Sequence, residues 1–403
     1  MSALTCPFCA LLCDDLQPAG EGAVPGRACP RAAAAFRRRF EVGAAEPCQD
    51  GRPVSPEQAL EAAAALLARA RRPLIGGLRG DVAAQQAALE LAEQCRGVVD
   101  HAATGLHRTL VAWQTDGWLA TSLSEIRNRA DLVVAVGYQV FEHCPRLAER
   151  VLSGDTLSGR PPVRVLLGPA EVPDAAAPAD TVPVAAEALV DAVGLLRILC
   201  RGGPLPNRAA GLPLEPLRRL AGRLAEAAYP VLVWSAAEPA AAAAVDQLQG
   251  LARELNEAGH RSMTLGLTEP SAQSAVQVGA WRSGFPPRTA FRPEPEYDPW
   301  RYASERLLAE NAVDAVLWLA ALDPDSPLPA SSLPTVVLGH PALRPERPPD
   351  VYIPVGVPAI DHPGVLFRTD GVALPLPAAG SESLPAASGV LHRLRRRIAE
   401  MAA

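Results

Sequence analysis

The chain has 403 residues, of which 49% are hydrophobic and 20% charged, and its formal net charge is −6. This length predicts two or more domains, and the composition excludes an intrinsically disordered protein. The 38 basic and 44 acidic side chains are spread along the chain, so no nucleic-acid-binding surface is expected. No apolar run reaches the roughly 18 residues of a membrane span, and no signal peptide is recognisable. We therefore expect a cytoplasmic protein without a membrane partner.

Four of the eight cysteines lie at the start of the chain, at Cys6, Cys9, Cys13 and Cys29, in the spacing C-x2-C-x3-C-x15-C. Thiolates gathered this closely in a reduced protein usually bind a metal ion or an iron–sulfur cluster. Zinc sites more often use two CxxC knuckles on separate arms. Three ligands in one loop and a later fourth favour a [4Fe–4S] cluster, with zinc or an empty site as the alternatives.

The segment Ser55-Pro56-Glu57-Gln58 predicts the start of a helix that runs to about Ala70. Serine is a favoured N-cap, proline fits the first turn, and glutamine three residues after the cap completes a capping box. An apolar strand at 73–77 and a helix at 82–95 follow. Further apolar strands are predicted at 131–137, 163–168, 230–235, 263–267, 313–320, 334–339 and 351–354.

Apolar strands that alternate with helices predict parallel sheets buried on both faces. We therefore predict an α/β fold with two doubly wound parallel-sheet halves and a small Cys-rich N-terminal segment. The predicted ranges are 1–52 for the four-cysteine segment, 53–205 for the first α/β domain and 206–403 for the second. The Pro- and Gly-rich segment 202–216 is the predicted connection between the two domains.

The first cysteine segment, Cys6-Pro7-Phe8-Cys9-Ala10-Leu11-Leu12-Cys13-Asp14-Asp15, resembles the start of the formylmethanofuran dehydrogenase B subunit. Further segments match this family in the same order: Arg72-Pro73-Leu74, Val99-Asp100, 124–131, 281–286 and 367–371. The resemblance implies the fold of the molybdopterin oxidoreductases, that is, domains 1–3 of formate dehydrogenase and dimethyl-sulfoxide reductase. In the catalytic members, two pterins hold a tungsten or molybdenum ion.

The chain departs from this family at the metal ligand. In the catalytic family, a Val-Asp pair is followed by a Cys-His-Gly step whose cysteine binds the metal. Here the matching residues are Leu106-His107-Arg108, so leucine occupies the ligand position. Leucine has no lone pair, and the nearby imidazoles of His101 and His107 are poor substitutes for a thiolate. The resemblance therefore implies that molybdopterin or tungstopterin is absent and that no catalytic residue is retained.

Two pterin-binding segments also differ from the family. Its Gly-Cys-Asn-Pro strand end reads Gly137-Tyr138-Gln139-Val140 here, and its Asp-Pro-Arg-Lys turn reads Gly168-Pro169-Ala170-Glu171. The acidic side chain of Glu171 is unfavourable beside the phosphates of a pterin dinucleotide. Together these changes predict a vacated cofactor pocket with no pterin-binding residue.

This pattern is similar to the B subunit of the bacterial formyltransferase/hydrolase complex. The resemblance implies three partners in methanopterin-linked one-carbon metabolism: a zinc amidohydrolase (A) that releases formate from formylmethanofuran, a β-helical scaffold (C) and a formyltransferase (D). The chain would then be a non-redox structural subunit, in which a cluster at Cys6, Cys9, Cys13 and Cys29 has a structural role. The alternatives are an active tungsten or molybdenum bis-pterin formylmethanofuran dehydrogenase subunit and an independent α/β protein that binds a small molecule.

Overall fold

A computed structural model describes residues 3–20, 22–42, 45–117, 119–169, 180–380 and 384–402 of the chain. It contains two compact units. Unit 1 comprises Met1–Ala102, Pro270–Arg368 and Val372–Ala403, and unit 2 comprises Ala103–Glu269 and Thr369–Gly371. The fold is mixed α/β with parallel strands, which confirms the predicted class.

Unit 1 contains a nine-stranded sheet and a separate hairpin. Its strands are β1 (Cys48–Gln49), β2 (Arg52–Pro53), β3 (Pro73–Arg79), β4 (Val98–Val99), β12 (Thr289–Phe291), β13 (Pro295–Tyr297), β14 (Ala315–Ala320), β15 (Thr335–Gly339) and β16 (Val351–Pro354), with the hairpin β17 (Gly364–Phe367) and β18 (Ala373–Leu376). The order in the sheet is β13-β12-β4-β3-β14-β15-β16-β1-β2. The five central strands are parallel, and an antiparallel hairpin closes each edge.

Unit 2 contains a five-stranded sheet in which every pairing is parallel. Its strands are β5 (Leu132–Val136), β6 (Val163–Gly168), β7 (Asp180–Pro183), β10 (Pro230–Ser235) and β11 (Met263–Leu267), and a small hairpin is formed by β8 (Arg208–Ala209) and β9 (Leu212–Pro213). The order is β11-β10-β5-β6-β7. The predicted connection at 202–216 therefore lies inside unit 2, where it contains this hairpin.

Helices cover the sheets. In unit 1 they are α1 (Pro30–Glu41), α2 (Pro56–Arg69), α3 (Val82–Gln94), α11 (Ala272–Ser283), α12 (Ser304–Ala309) and α13 (Ala387–Ala402). In unit 2 they are α4 (Thr104–Asp116), α5 (Leu123–Arg129), α6 (Val140–His143), α7 (Leu189–Cys200), α8 (Glu215–Glu226), α9 (Pro239–Ala243) and α10 (Val245–Glu257). The predicted capping box at Ser55 and Gln58 is confirmed, since each side chain accepts a hydrogen bond from the other residue's backbone N–H. Among the described helices, none combines the length and apolarity that a membrane crossing requires.

The division of the chain differs from the predicted ranges 53–205 and 206–403. Strand β3 pairs with β14, about 240 residues later, and β5 pairs with β10 across a separation of about 100 residues. The segment 1–52 is not a separate domain either, because Cys48 and Gln49 form an edge strand of the sheet in unit 1. Pairing of parallel strands depends on which apolar faces pack together, which the order of elements along the chain does not reveal.

Candidate functional site

The four-cysteine segment folds as a closed loop in unit 1. Leu4 and Leu16 form an antiparallel bridge, and the Cys6 N–H donates to the Cys13 carbonyl at 2.8 Å. Inside the loop, the Leu12 N–H donates to the Cys9 carbonyl, which makes a tight turn. Cys6, Cys9 and Cys13 are buried. Thus three thiols with unequal spacing in the sequence are held in one compact turn.

Cys29, the fourth cysteine, precedes α1 and is partly exposed. Burial raises the pKa of the Cys6 thiol well above its usual value, and the charges of Cys9, Cys13 and Cys29 act in the same direction, against a backbone hydrogen bond from Phe8. Cys9, Cys13 and Cys29 therefore each lie close enough to Cys6 to influence its charge. The four cysteines thus lie in one region of unit 1, and their binding of a metal or cluster stays a prediction.

Among the residues that the structure describes, these cysteines are not arranged around the position of one metal ion. Across the described residues, no group of three or more His, Cys, Asp or Glu side chains is positioned to hold a single ion. A tetrahedral zinc site with Zn–S distances of about 2.3 Å requires its sulfurs in mutual contact. An iron–sulfur cluster places four irons between its ligands and spaces the sulfurs more widely. A [4Fe–4S] cluster, with zinc or an empty site as the alternatives, therefore stays a prediction.

Helix α1 packs against this loop. The Phe8 and Phe36 rings meet edge to face at 5.4 Å, and the Arg31 Nε donates to the Phe8 carbonyl at 2.8 Å. On the same helix, the buried Arg39 guanidinium donates to both carboxylate oxygens of Asp361, at 2.7 and 2.5 Å. The loop is therefore attached to the rest of unit 1 through α1.

His340 follows β15 at the carboxyl end of the sheet in unit 1 and is 1% exposed. The Ala342 N–H donates to its Nδ1 at 3.0 Å, which suits a neutral ring. Burial lowers its pKa to about 4 from 6.5, and Arg39 acts in the same direction while Asp361 opposes it. The site therefore disfavours a charged imidazole.

We expect this histidine to make stability depend on pH. Between pH 6.5 and 4 the unfolded chain binds a proton that the folded chain does not, so stability falls as the pH falls, by about 3 kcal/mol in total. In His340→Asn, urea unfolding at a series of pH values should show a shallower loss over this window. The exposed His392→Asn variant is the control. An unchanged slope in His340→Asn would contradict the expectation.

Leu106, which the sequence predicts to replace the metal-binding cysteine, lies in the first turn of α4 in unit 2 and is fully buried. The preceding Gly105 touches the backbone so closely that a Cβ atom there would lie 1.6 Å from the Ala236 carbonyl oxygen. His107 is buried, and Arg108 is exposed. The start of α4 thus carries a buried aliphatic side chain, and its backbone packs closely against Ala236.

A buried carboxylate, Glu238, lies at the carboxyl ends of β5 and β10. It accepts hydrogen bonds from the Tyr138 and Gln139 N–H groups at 3.3 and 3.0 Å. Gly137 has φ +89°, and a Cβ atom at this position would lie 2.3 Å from Glu238 Oε2. Burial raises the pKa of Glu238, while the two backbone donors oppose this shift. The backbone donors at this strand end are therefore already used by the protein itself.

No protein-family model matches the chain. The B subunit of the formyltransferase/hydrolase complex of Methylorubrum extorquens is 33% identical over 359 residues, covering 85% of this chain and 95% of the relative. A crystal structure of the formyltransferase/hydrolase complex from M. extorquens with methylofuran contains a chain with a TM-score of 0.76 and 32% identity, covering 88% of this chain and 99% of that one. This chain belongs to the B-subunit family of the formyltransferase/hydrolase complex.

The redox family is also related to this B-subunit family. The B subunit of the tungsten-containing formylmethanofuran dehydrogenase 2 of Methanocaldococcus jannaschii is 27% identical, covering 93% of this chain and 92% of the relative. Both resemblances predicted from the sequence are therefore confirmed, and the formyltransferase/hydrolase relative has the higher identity.

Several motifs that carry the resemblance have structural roles in this B-subunit chain. The Asp100 carboxylate accepts from the Ser304 N–H and Oγ, both at 2.7 Å, at the start of α12. Asp131 accepts from the Ala228 and Tyr229 N–H groups at 2.6 and 2.9 Å. These carboxylates satisfy backbone donors at the ends of elements. The presence of Asp100 and Asp131 in motifs shared with the redox family therefore gives no information about redox chemistry.

A third motif enters unit 2 at Thr369–Gly371. Thr369 Oγ1 donates to the Gly266 carbonyl at 2.6 Å, and Asp370 accepts from the Leu123 N–H at 3.0 Å, at the start of α5. The end of the Phe367–Gly371 motif therefore makes structural hydrogen bonds within unit 2. Of the turn 168–171, Ala170 and Glu171 lie outside the described residues, so the expected acidic contact there stays a prediction.

Glu238 and the Arg39–Asp361 pair were not predicted from the sequence. Glu238 precedes Pro239 just after a strand, a pattern typical of a helix start, and only the position of β5 beside β10 reveals its role. Arg39 and Asp361 are separated by 322 residues. No local pattern marks either residue as buried.

Proposed function

We propose that the chain is the non-redox structural B subunit of a formyltransferase/hydrolase complex that also contains A, C and D subunits. The observation that carries this proposal is the fully buried Leu106 at the position where the redox family has its metal-binding cysteine. The membership of the chain in the B-subunit family supports the proposal that A, C and D subunits are its partners. In such a complex, the formyl group of formylmethanofuran is released as formate by another subunit.

The partners are tested by affinity purification of the tagged chain from its native host. We expect the A, C and D subunits to co-purify in fixed proportion and to remain together through size-exclusion chromatography. An isolated chain under the same conditions would contradict the proposal and favour an independent α/β protein.

The absence of redox chemistry is tested on the same complex. Elemental analysis should find only traces of tungsten and molybdenum, and Leu106→Cys should not produce viologen-linked oxidation of formylmethanofuran. A thiol alone cannot restore a pterin site whose strand-end donors are occupied by Glu238. Stoichiometric tungsten or molybdenum, or activity in the single variant, would support the alternative of an active bis-pterin dehydrogenase subunit.

We also propose that Cys6, Cys9, Cys13 and Cys29 hold a [4Fe–4S] cluster with a structural role. The burial of three of the thiols in one turn, with Cys29 near Cys6, supports this assignment. A cluster would link the N-terminal loop to α1 through covalent iron–sulfur bonds.

The test for the cluster is iron and acid-labile sulfide analysis of anaerobically prepared protein. We expect about four irons per chain in the wild type. Cys13→Ser should lose the cluster and its absorbance near 400 nm, whereas the matched variant Cys200→Ser, far from the loop in sequence, should keep both. Equal iron in the two variants would contradict the assignment, and zinc in place of iron would identify the alternative site.

The finer fold description belongs to the same proposal. We infer that the two units correspond to the molybdopterin-oxidoreductase arrangement, supported by the resemblance to the tungsten-containing relative from M. jannaschii. A cytoplasmic location is supported by eight cysteines without a disulfide in the described part of the chain.

A further inference from the structure

A cavity of about 290 Å³ lies within unit 1, beside the cysteine loop. Phe8 of that loop lines it, together with Arg79 and Leu322. This volume is at the lower end of the range for small-molecule sites. A metabolite-sized ligand fits such a space.

The cavity is at the point in the sheet where the strand order reverses. From β3 the chain continues to β4 on one side, whereas β14, on the other side of β3, leads away to β15 and β16. Arg79 ends β3, and the segment 322–325 follows β14. Ligands of open parallel sheets bind outside the carboxyl ends of the strands at this reversal. The topology alone therefore indicates a ligand site here.

Helix α1 covers the cavity with one of its faces. Arg31, Ala34, Ala35 and Arg38 line it, and their spacing places them on the same side of a helix. The other face, which includes Phe36, is buried in unit 1. The two alanines have the smallest side chains compatible with a helix, so they keep the space open between the two arginines.

The charges in the cavity favour an anion. Three arginines and two aspartates line it, and Arg38 pairs with Asp325. Arg31 uses its Nε for the Phe8 carbonyl, and within the described ranges no carboxylate lies at ion-pair distance from its guanidinium. Its terminal nitrogens remain available for a planar, bidentate contact with a carboxylate.

We propose that this cavity binds a small organic carboxylate, with Arg31 as the residue that contacts the carboxylate group. The apolar part of the ligand lies against Phe8 and the two alanines of α1. This site is separate from the proposed scaffold role, and the proposal does not require a cluster or a pterin. Neither Arg31 nor the cavity was singled out by the sequence.

Calorimetric titration of the full chain at low ionic strength tests the proposal with succinate, glutarate and citrate as probes. We expect saturable binding of at least one carboxylate and none of succinamide, its uncharged counterpart. Arg31→Gln should raise the dissociation constant about tenfold or more, because a charge-assisted bidentate contact is lost. Arg37→Gln, an exposed site on the same helix, should leave it unchanged.

Ala34→Leu separates binding from folding, because it fills the cavity and keeps the Arg31 hydrogen bond to Phe8. We expect it to abolish binding while the thermal unfolding midpoint stays near that of the wild type. Unchanged affinity in both Arg31→Gln and Ala34→Leu would overturn the proposal. Binding of inorganic phosphate without any of the three carboxylates, or no saturable binding at all, would overturn it as well.

Discussion

Replacing Arg39 by methionine should lower the free energy of unfolding of the full chain by about 3–5 kcal/mol. The Arg39 and Asp361 side chains are 8% and 4% exposed and share two hydrogen bonds. Without the guanidinium, the carboxylate stays buried with no cation beside it, which costs more than the pair itself contributes. Urea unfolding followed by circular dichroism measures the change.

A double-mutant cycle identifies the cause. Asp361 also accepts a hydrogen bond from the Val357 N–H at 2.7 Å, and an asparagine keeps that acceptor without the charge. The double variant Arg39→Met/Asp361→Asn should therefore recover more than half of the loss seen in Arg39→Met. Arg37→Met, an exposed change on the same helix, should stay within about 0.5 kcal/mol of the wild type. If the double variant instead loses the sum of the two single-variant losses, the broken Arg39–Asp361 pair is not the cause of the destabilisation.

Replacing Gly105 by alanine should destabilise the chain by about 3 kcal/mol, although alanine favours a helix. The added Cβ would lie 1.6 Å from the Ala236 carbonyl oxygen, so backbone must move on one side. Backbone cannot rotate away as a flexible side chain does. The same urea assay, with a spectroscopic check that the variant is folded, measures the effect.

Gly222→Ala is the matched control because it makes the same change in another helix of unit 2. No atom lies within 4 Å of a Cβ placed at Gly222. This variant should gain about 0.5–1 kcal/mol from the lower backbone entropy of alanine in a helix. Stability changes of opposite sign in the two variants would show that the close contact at Gly105, and not helix propensity, causes the loss. A gain in both variants would contradict the tight approach at Gly105.

Most central strands of the two sheets were predictable because they are continuous apolar runs, whereas the two-residue β4 was missed. The predictions at 163–168, 230–235, 263–267 and 351–354 agree with the observed bounds of β6, β10, β11 and β16. The short edge strands were missed, since two or three residues at a sheet edge carry no periodic pattern. Their pairing is set by neighbours distant in the sequence, as for Cys48 and Tyr352.

The candidate site could be predicted only where a few residues suffice to suggest its chemistry. The four cysteines stand out by their spacing wherever the chain folds, and the significance of Leu106 depends on the resemblance to the redox family. No local sequence pattern marks the contact between Glu238 and Gly137 or the cavity lined by Arg31. Each depends on contacts between elements that the sequence places far apart.

The sequence by itself determined the α/β class, the position of the four-cysteine segment and the membership in the B-subunit family of the formyltransferase/hydrolase complex. These follow from local patterns, because hydrophobic periodicity, helix caps and cysteine spacing act over a few residues. Only the tertiary structure decided which strands share a sheet, how the two units divide the chain and which charges are buried together. Those features come from non-local packing, in which residues hundreds of positions apart exclude water from the same core.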